Sequence, residues 1–221
     1  MVITDDRIID ENTHKKEYSE LQKCDGDRID SIVIDTTSID VYVHQWNSSN
    51  VTVHLEGTAI VEKGEVELST YVLERKLICT IQTQCVLESS NLRLDIWLPN
   101  VVYKSISIRG TTSNIYVESG IFTKIVDVYT SSGSVKVDAT FVKAKINTNT
   151  ADVDVRFSAC SKVNAKISTV DGNIVVQLLN IRKVKLNAIS KYGKVEDKYV
   201  GTFGYLASIE ASSIRGNITV M

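Results

Sequence analysis

The sequence predicts an all-β fold: a β-solenoid-like stack of strand-turn-strand repeats of about 20 residues, with an antiparallel hairpin block inserted after the first unit. Three observations predict it. The composition leans on Val, Ile, Ser, Thr and Asn with a single proline, Pro99, and these side chains suit pleated strands and polar turns. Two alternating apolar residues are followed, seven residues later, by a second such pair. The segment joining the pairs carries hydroxyl residues and glycines at fixed places.

The pairs set out the strands. Ile32 and Ile34 lead to Val41 and Val43, Ile106 and Ile108 to Ile115 and Val117, and Val126 and Val128 to Val135 and Val137. Ala144 and Ile146 lead to Val153 and Val155, and Ala165 and Ile167 to Ile174 and Val176. Leu186 and Ala188 lead to Val195 and then Asp197, and Ile209 and Ala211 to Ile218 and Val220. Side chains alternate between faces of a strand, so each unit is two short strands with one buried face. Asp197 stands where the other units have Val, which marks a place for the stack to loosen.

The corners are patterned as well. Thr36, Gly110, Thr130, Thr148, Thr169, Ser190 and Ser213 stand five residues before the second strand; Ile39, Ser113, Gly133, Ala151, Gly172, Gly193 and Gly216 stand two before it. Glycine admits the positive φ of a tight corner, and hydroxyl side chains bond nearby backbone. The second-strand anchors from Ile115 to Ile218 step by 20, 18, 21, 21 and 23 residues, the period of coils that bury against one another a face none buries alone. The apolar positions Val142, Val163 and Val184 leave two or three faces per coil open.

Residues 29–221 read as a single β-repeat domain: 106–221 hold six consecutive repeats, and 44–105 form an irregular block of longer strands that extends or caps the pile. In that block Val51, Val53 and Leu55, then Leu77, Cys79 and Ile81, then Leu92, Leu94, Ile96 and Leu98 alternate, and Asn47-Ser48-Ser49-Asn50 reads as a hairpin tip. Pro99 closes the last of these strands, where a missing amide donor is tolerated. Residues 1–28 fit no unit; Thr13–Leu21 suits either a short helix or an extended arm. The last unit ends at Val220-Met221 with nothing after it to cover its edge, so the N-terminal segment or a second subunit is expected there, a route to a homo-oligomer.

The run Leu92-Arg93-Leu94-Asp95-Ile96-Trp97-Leu98-Pro99, then Ser105-Ile106-Ser107-Ile108, then Thr130-Ser131-Ser132-Gly133-Ser134-Val135-Lys136-Val137 resembles the bacterial β-strand-repeat family labelled "putative adhesin". There an apolar strand ending in proline precedes repeated Thr-Ser-Gly-Asp/Asn-Ile-x-Val units. The resemblance covers roughly residues 29–221. It implies a β-repeat fold, a bacterial source and a place at the cell envelope; it carries over no catalytic residues.

Composition narrows the function. The net charge is −2, from 25 basic and 27 acidic residues interspersed along the chain, which gives no ground for a nucleic-acid partner. Apolar runs such as Ile32–Ile34 fall far short of the roughly 20 residues of a membrane span, and Met1–Arg7 lacks a secretory pattern; without a native signal the location would be cytoplasmic. Cys24, Cys79, Cys85 and Cys160 are too scattered for a disulfide framework and read as free thiols.

Candidate chemistry is sparse, and no catalytic, cofactor-binding or metal-binding residue is assigned. His44 and His54 alternate with inward valines and point outward, with His44 opposite Val53 across the expected hairpin, so they share no metal site. Cys79 shares the parity of Leu77 and Ile81 and fills core. Asp171-Gly172-Asn173 lacks the recurring oxygen ligands of a calcium turn and reads as a plain corner. Asn47, Asn50 and Asn217 open glycosylation tripeptides that carry no meaning in a bacterial chain.

One column stands out. Lys104, Lys124, Lys143, Lys162 and Arg182 are spaced 20, 19, 19 and 20. Along one corner of a stack they would form a stripe able to meet a polyanion, or simply mark strand starts and discourage edge pairing. The expected role is a non-enzymatic structural or interaction module of the cell envelope, whose partner is a protein or a cell-surface polymer. The alternatives are a cytoplasmic scaffold pairing with a protein through the solenoid end, and a small-ligand binder using the 44–105 block.

Overall fold

The computed structural model describes residues 14–61, 65–83, 91–158, 163–179, 184–199 and 207–221; Cys85, Cys160, Lys162 and Arg182 lie outside the described residues. The alternating Val and Ile pairs build two parallel ladders that share one apolar core. In stack order the first ladder is β6 (Lys76–Thr83), β2 (Ser31–Asp35), β8 (Val102–Arg109), the first halves of β10 (Phe122–Val137) and β11 (Thr140–Ser158), β12 (Val163–Thr169), β16 (Ala207–Ser213) and β14 (Val184–Ser190). The second is β7 (Arg93–Pro99), β3 (Asp40–Trp46), β9 (Ile115–Val117), the second halves of β10 and β11, β13 (Ile174–Leu179), β17 (Ile218–Val220) and β15 (Val195–Asp197).

Each predicted pair falls in register with its neighbours. Val41 aligns with Leu94 and Ile115, Val135 with Ile115 and Val153, and Ile174 with Val153 and Ile218. Every one of these side chains is buried, so coil after coil presents the same apolar column. The strands make two faces: Val163 is buried, Val142 is exposed, and Tyr103, Ile121, Ala139 and Phe141 fill the passage from one coil to the next. At one end, β4 (Asn50–Val61) runs antiparallel on β7 and β1 (His14–Asp25) antiparallel on β4. Beside them β5 (Val66–Leu73) folds back on β6 through Glu74 and Arg75, both at positive φ, the conformation a two-residue hairpin turn demands.

The corners hold the ladders together through two columns of side chains. Inside, Thr130 Oγ1 donates to the Ser132 carbonyl at 2.7 Å, Thr148 Oγ1 to Ala151 at 3.2 Å and Ser213 Oγ to Gly172 at 3.1 Å. Outside, Asx side chains accept from the next coil's backbone: Asp40 from the Asn114 N–H at 2.9 Å, Asn114 from Ser134 at 2.9 Å, Asp152 from Asn173 at 2.7 Å and Asn173 from Asn217 at 2.9 Å. These bonds satisfy amides that a turning strand would otherwise leave without ladder partners. Gly216 packs so closely on the preceding coil that a Cβ would overlap the Gly172 carbonyl.

Two expectations are corrected. The C-terminal unit does not form the edge of the stack. β16 and β17 lie between β12–β13 and β14–β15, and β1 covers the opposite end. The reason lies in Asp197: a carboxylate in the inward column costs several kcal/mol if it is stripped of water between two coils, and in the outermost coil it stays exposed. The unit with Ile218 and Val220 takes the interior place instead. The loosening marked by Asp197 is therefore the end of the pile.

Asn47–Asn50 is not a hairpin tip either. β7 lies between β3 and β4, so His44 stands beside Trp97 and Val53 beside Ile96. Direct pairing of β3 and β4 would leave the apolar column of Leu94, Ile96 and Leu98 unseated, whereas here all three are buried. Residues 14–25 of the N-terminal arm are strand, which excludes a short helix across His14–Leu21.

Candidate functional site

What distinguishes one coil from another faces outward. On β3 the outward positions are Tyr42, His44 and Trp46; β7 adds Asp95 and Trp97 beside them, β9 adds Tyr116 and β4 adds His54. Period-two alternation fixes all of them on the outer face of the second ladder. Both tryptophans and two of the three histidines of the chain gather here.

The rings form a connected patch. Tyr42 and His44 are within 5° of parallel with centroids 6.2 Å apart, and His44 lies 5.4 Å from Trp97 at 24°. His54 and Trp46 stand 6.2 and 6.5 Å from Trp97, Tyr116 lies 6.2 Å from Tyr42, and the Lys136 ammonium sits 5.5 Å from the Tyr116 ring. Such separations suit edge and offset contacts between rings.

Charged groups fix the patch in place. The His44 ring nitrogens lie 2.8 Å from Asp95 Oδ1 and 3.3 Å from Glu118 Oε2, which also accepts the Gln45 N–H. Asp95 is 4% exposed. Its second oxygen is 2.8 Å from Arg93 Nε, an ion-pair distance without the alignment of a hydrogen bond. Arg93 reaches Glu56 as well. Asp95 foremost, and then Glu56, push the guanidinium pKa up, so Arg93 is a fixed positive charge.

Three adjoining surface hollows run across the strands beside this patch. One of about 460 Å³ is lined by residues including Tyr18, Glu56 and Arg93; the next, about 450 Å³, shares Arg93 and Asn91 with it and adds Asp40 and Tyr42. The third, about 470 Å³, shares Tyr42 and Asn114 and adds Tyr116 and Lys136.

His54 stands between Ser19 Oγ and Glu56 Oε2, both at 3.4 Å, the order of a hydrolase triad. Both contacts exceed the roughly 2.6–3.2 Å of an activated nucleophile, and Arg93 holds the Glu56 carboxylate. The Cys79 thiol is buried among core side chains, and desolvation pushes its pKa up to about 12. Among the described residues no group of three or more His, Cys, Asp and Glu side chains is placed to hold a metal.

The cation column has a different setting. Lys104 Nζ lies 2.7 Å from Asp30 Oδ2, where Arg75 Nε also approaches to 3.1 Å. Lys124 and Lys143 are exposed. Thr123 and Ile125 align with Tyr103 and Ser105, which puts Lys124 in line with Lys104; Lys143 aligns with Ile125, one residue further along. The column thus shifts at its third member. The sequence reading passed over the aromatic patch, although Tyr42, His44 and Trp46 at alternate outward positions were the signal that could have found it.

Among curated proteins none is significantly similar to the sequence. A solved structure of a "putative cell adhesion protein" from Clostridium sporogenes ATCC 15579 matches with a TM-score of 0.58 at 13% identity, over 93% of this chain and 99% of that one. A "putative adhesin" from Bacteroides fragilis NCTC 9343 matches with a TM-score of 0.48 at 12% identity, over 96% and 98% of the two chains. At 13% identity the Clostridium likeness shows the fold alone. No helix among the described residues is long and apolar enough to cross a membrane. The family model described as Toastrack DUF4097 matches residues 61–215, a stretch that includes Trp97 and Tyr116 and begins after Tyr42. With well over half its length matched, and with the repeat that the register displays, the chain belongs to the Toastrack DUF4097 family.

Proposed function

We propose that the chain is a non-enzymatic interaction module of adhesin type, which meets a cell-surface partner at the bacterial envelope. One observation carries this: the inward columns are nearly the same in every coil, whereas aromatic and charged side chains concentrate on one stretch of outer face, β7–β3–β9. A half-buried aromatic cluster of this kind on a rigid repeat suits a contact surface. The description of the Clostridium sporogenes protein as a "putative cell adhesion protein" agrees with such a role.

A second reading, a scaffold that pairs with a protein through the end of the stack, is favoured by the outer coil. Among the described residues no strand covers the free side of β14 and β15, and Ile189, Tyr192 and Val195 are exposed there.

Fractionation of the native organism with an antibody to this chain tests both, together with binding of the labelled chain to isolated envelope. The adhesin reading predicts envelope location and saturable binding. A chain confined to the cytosol, with no affinity for envelope, overturns it in favour of the scaffold.

A further inference from the structure

We infer that the groove beside Tyr42 is a binding site for an uncharged polysaccharide, lying along the stack axis across β1, β4, β7, β3, β9 and β10. The inference rests on the adhesin-type reading and names the chemistry of its partner.

The length of the groove indicates a polymer. The three hollows join through Arg93 and Asn91, then through Tyr42 and Asn114. They cross six adjacent strands, five intervals of about 4.8 Å, or roughly 24 Å. A single small molecule would fill one hollow, whereas an extended chain fills all three. Tyrosines of three strands line it, Tyr18 on β1, Tyr42 on β3 and Tyr116 on β9, and His44 and Trp97 stand beside Tyr42.

The charges select against polyanions. Among the residues that line the hollows, two basic groups, Arg93 and Lys136, face three acidic ones, Glu17, Asp40 and Glu56, while Asp95 and Glu118 lie beside them at His44 and Lys16 lies over the Tyr18 ring. A phosphate polymer or nucleic acid meets net repulsion there. Sugar hydroxyls are donors, and the carboxylates of Glu17, Asp40 and Glu56 line the hollows as charged acceptors; the C–H faces of a sugar ring suit the apolar faces of Tyr42 and Tyr116.

The site also carries its own reporter, because Trp46 and Trp97 are the only tryptophans in the chain. The test is affinity electrophoresis of the full chain through gels containing soluble dextran, mannan, xylan or hydroxyethylcellulose. Polyphosphate serves as the anionic control, and tryptophan emission is read during titration with any polymer that retards the chain. At least one neutral polymer is expected to retard the chain and shift its emission, and polyphosphate to do neither. Tyr42→Ala and Tyr116→Ala, with circular dichroism and thermal midpoint unchanged, should each weaken retention at least tenfold. Lys124→Ala, on the outer face of the first ladder, should keep both the retention and the emission change.

Retention only on polyphosphate, retention unaffected by both tyrosine variants, or no retention by any neutral polymer overturns the proposal. If the wild-type chain binds isolated envelope while every neutral polymer fails, the polysaccharide assignment falls and the adhesin-type reading stands. If envelope binding fails too, both fall.

Discussion

Gly110 and Ser113 stand in the reverse order of the hydroxyl and small residues that occupy the same corner positions in five other units. In five of the other six units a hydroxyl residue stands at the first corner position and Gly or Ala three places on, as in Thr130 with Gly133 and Thr148 with Ala151; the exception is Thr36 with Ile39. Here the glycine comes first and the hydroxyl second, and a Cβ on Gly110 would lie 2.7 Å from Ser113 Oγ. Only one of the two positions has room for a side chain. Gly110→Thr is therefore expected to cost about 1–3 kcal/mol by overpacking, and Gly110→Thr with Ser113→Gly to recover most of that loss. Urea unfolding of the four members of this cycle measures the coupling; additive losses would show that the two side chains do not compete for one space.

The order of the coils makes a second prediction. Val220 is fully buried and aligned with Val176 on one side and Asp197 on the other. Val220→Asp should cost more than about 3 kcal/mol, the penalty of an unpaired buried charge, and Asp197→Val should change stability by less than about 0.5 kcal/mol. Cysteines at Lys166 and Glu210, which are aligned neighbours, should form a disulfide on oxidation, and cysteines at Lys166 and Asn187 should not, because Glu210 lies between them. A stack in sequence order reverses both results.

Asp30 supplies a pH dependence. The hydrogen bond from Lys104 is the chief cause, with Ser31 and Arg75 adding to it, that holds the Asp30 carboxyl at about 2, below its ordinary value of 3.8. A carboxyl with a lowered folded-state pKa contributes stability above its unfolded value, and that contribution is lost as pH falls through the folded value. Asp30→Asn should thus be less stable than wild type at pH 7. The difference should close between pH 4 and pH 2, read as thermal midpoints across that range. A constant difference would mean that the asparagine acts through packing.

The apolar pairs were legible because strand parity is local: Ile106, Ile108, Ile115 and Val117 announce their face by spacing alone. Coil order was not, since Leu186 and Ile209 carry the same pattern and either unit can stack on β12. The choice turns on one buried-charge penalty at Asp197. The Asn47–Asn50 segment resembled a hairpin tip because its residues favour turns, and nothing near it in sequence reveals that β7, some 40 residues on, enters between β3 and β4. The same insertion builds the aromatic patch, for Trp97 and Asp95 reach His44 only through that pairing.

The outer face of β7–β3–β9 as the contact surface is tested most directly by one comparison. Binding of three labelled forms to isolated envelope is measured side by side: wild type, Tyr42→Ala with Tyr116→Ala, and Lys124→Ala with Lys143→Ala. The tyrosine variant is predicted to lose binding at least tenfold while the lysine variant keeps it. Retained binding by the tyrosine variant, with loss in the lysine variant, would contradict the account and move the contact to the cation column.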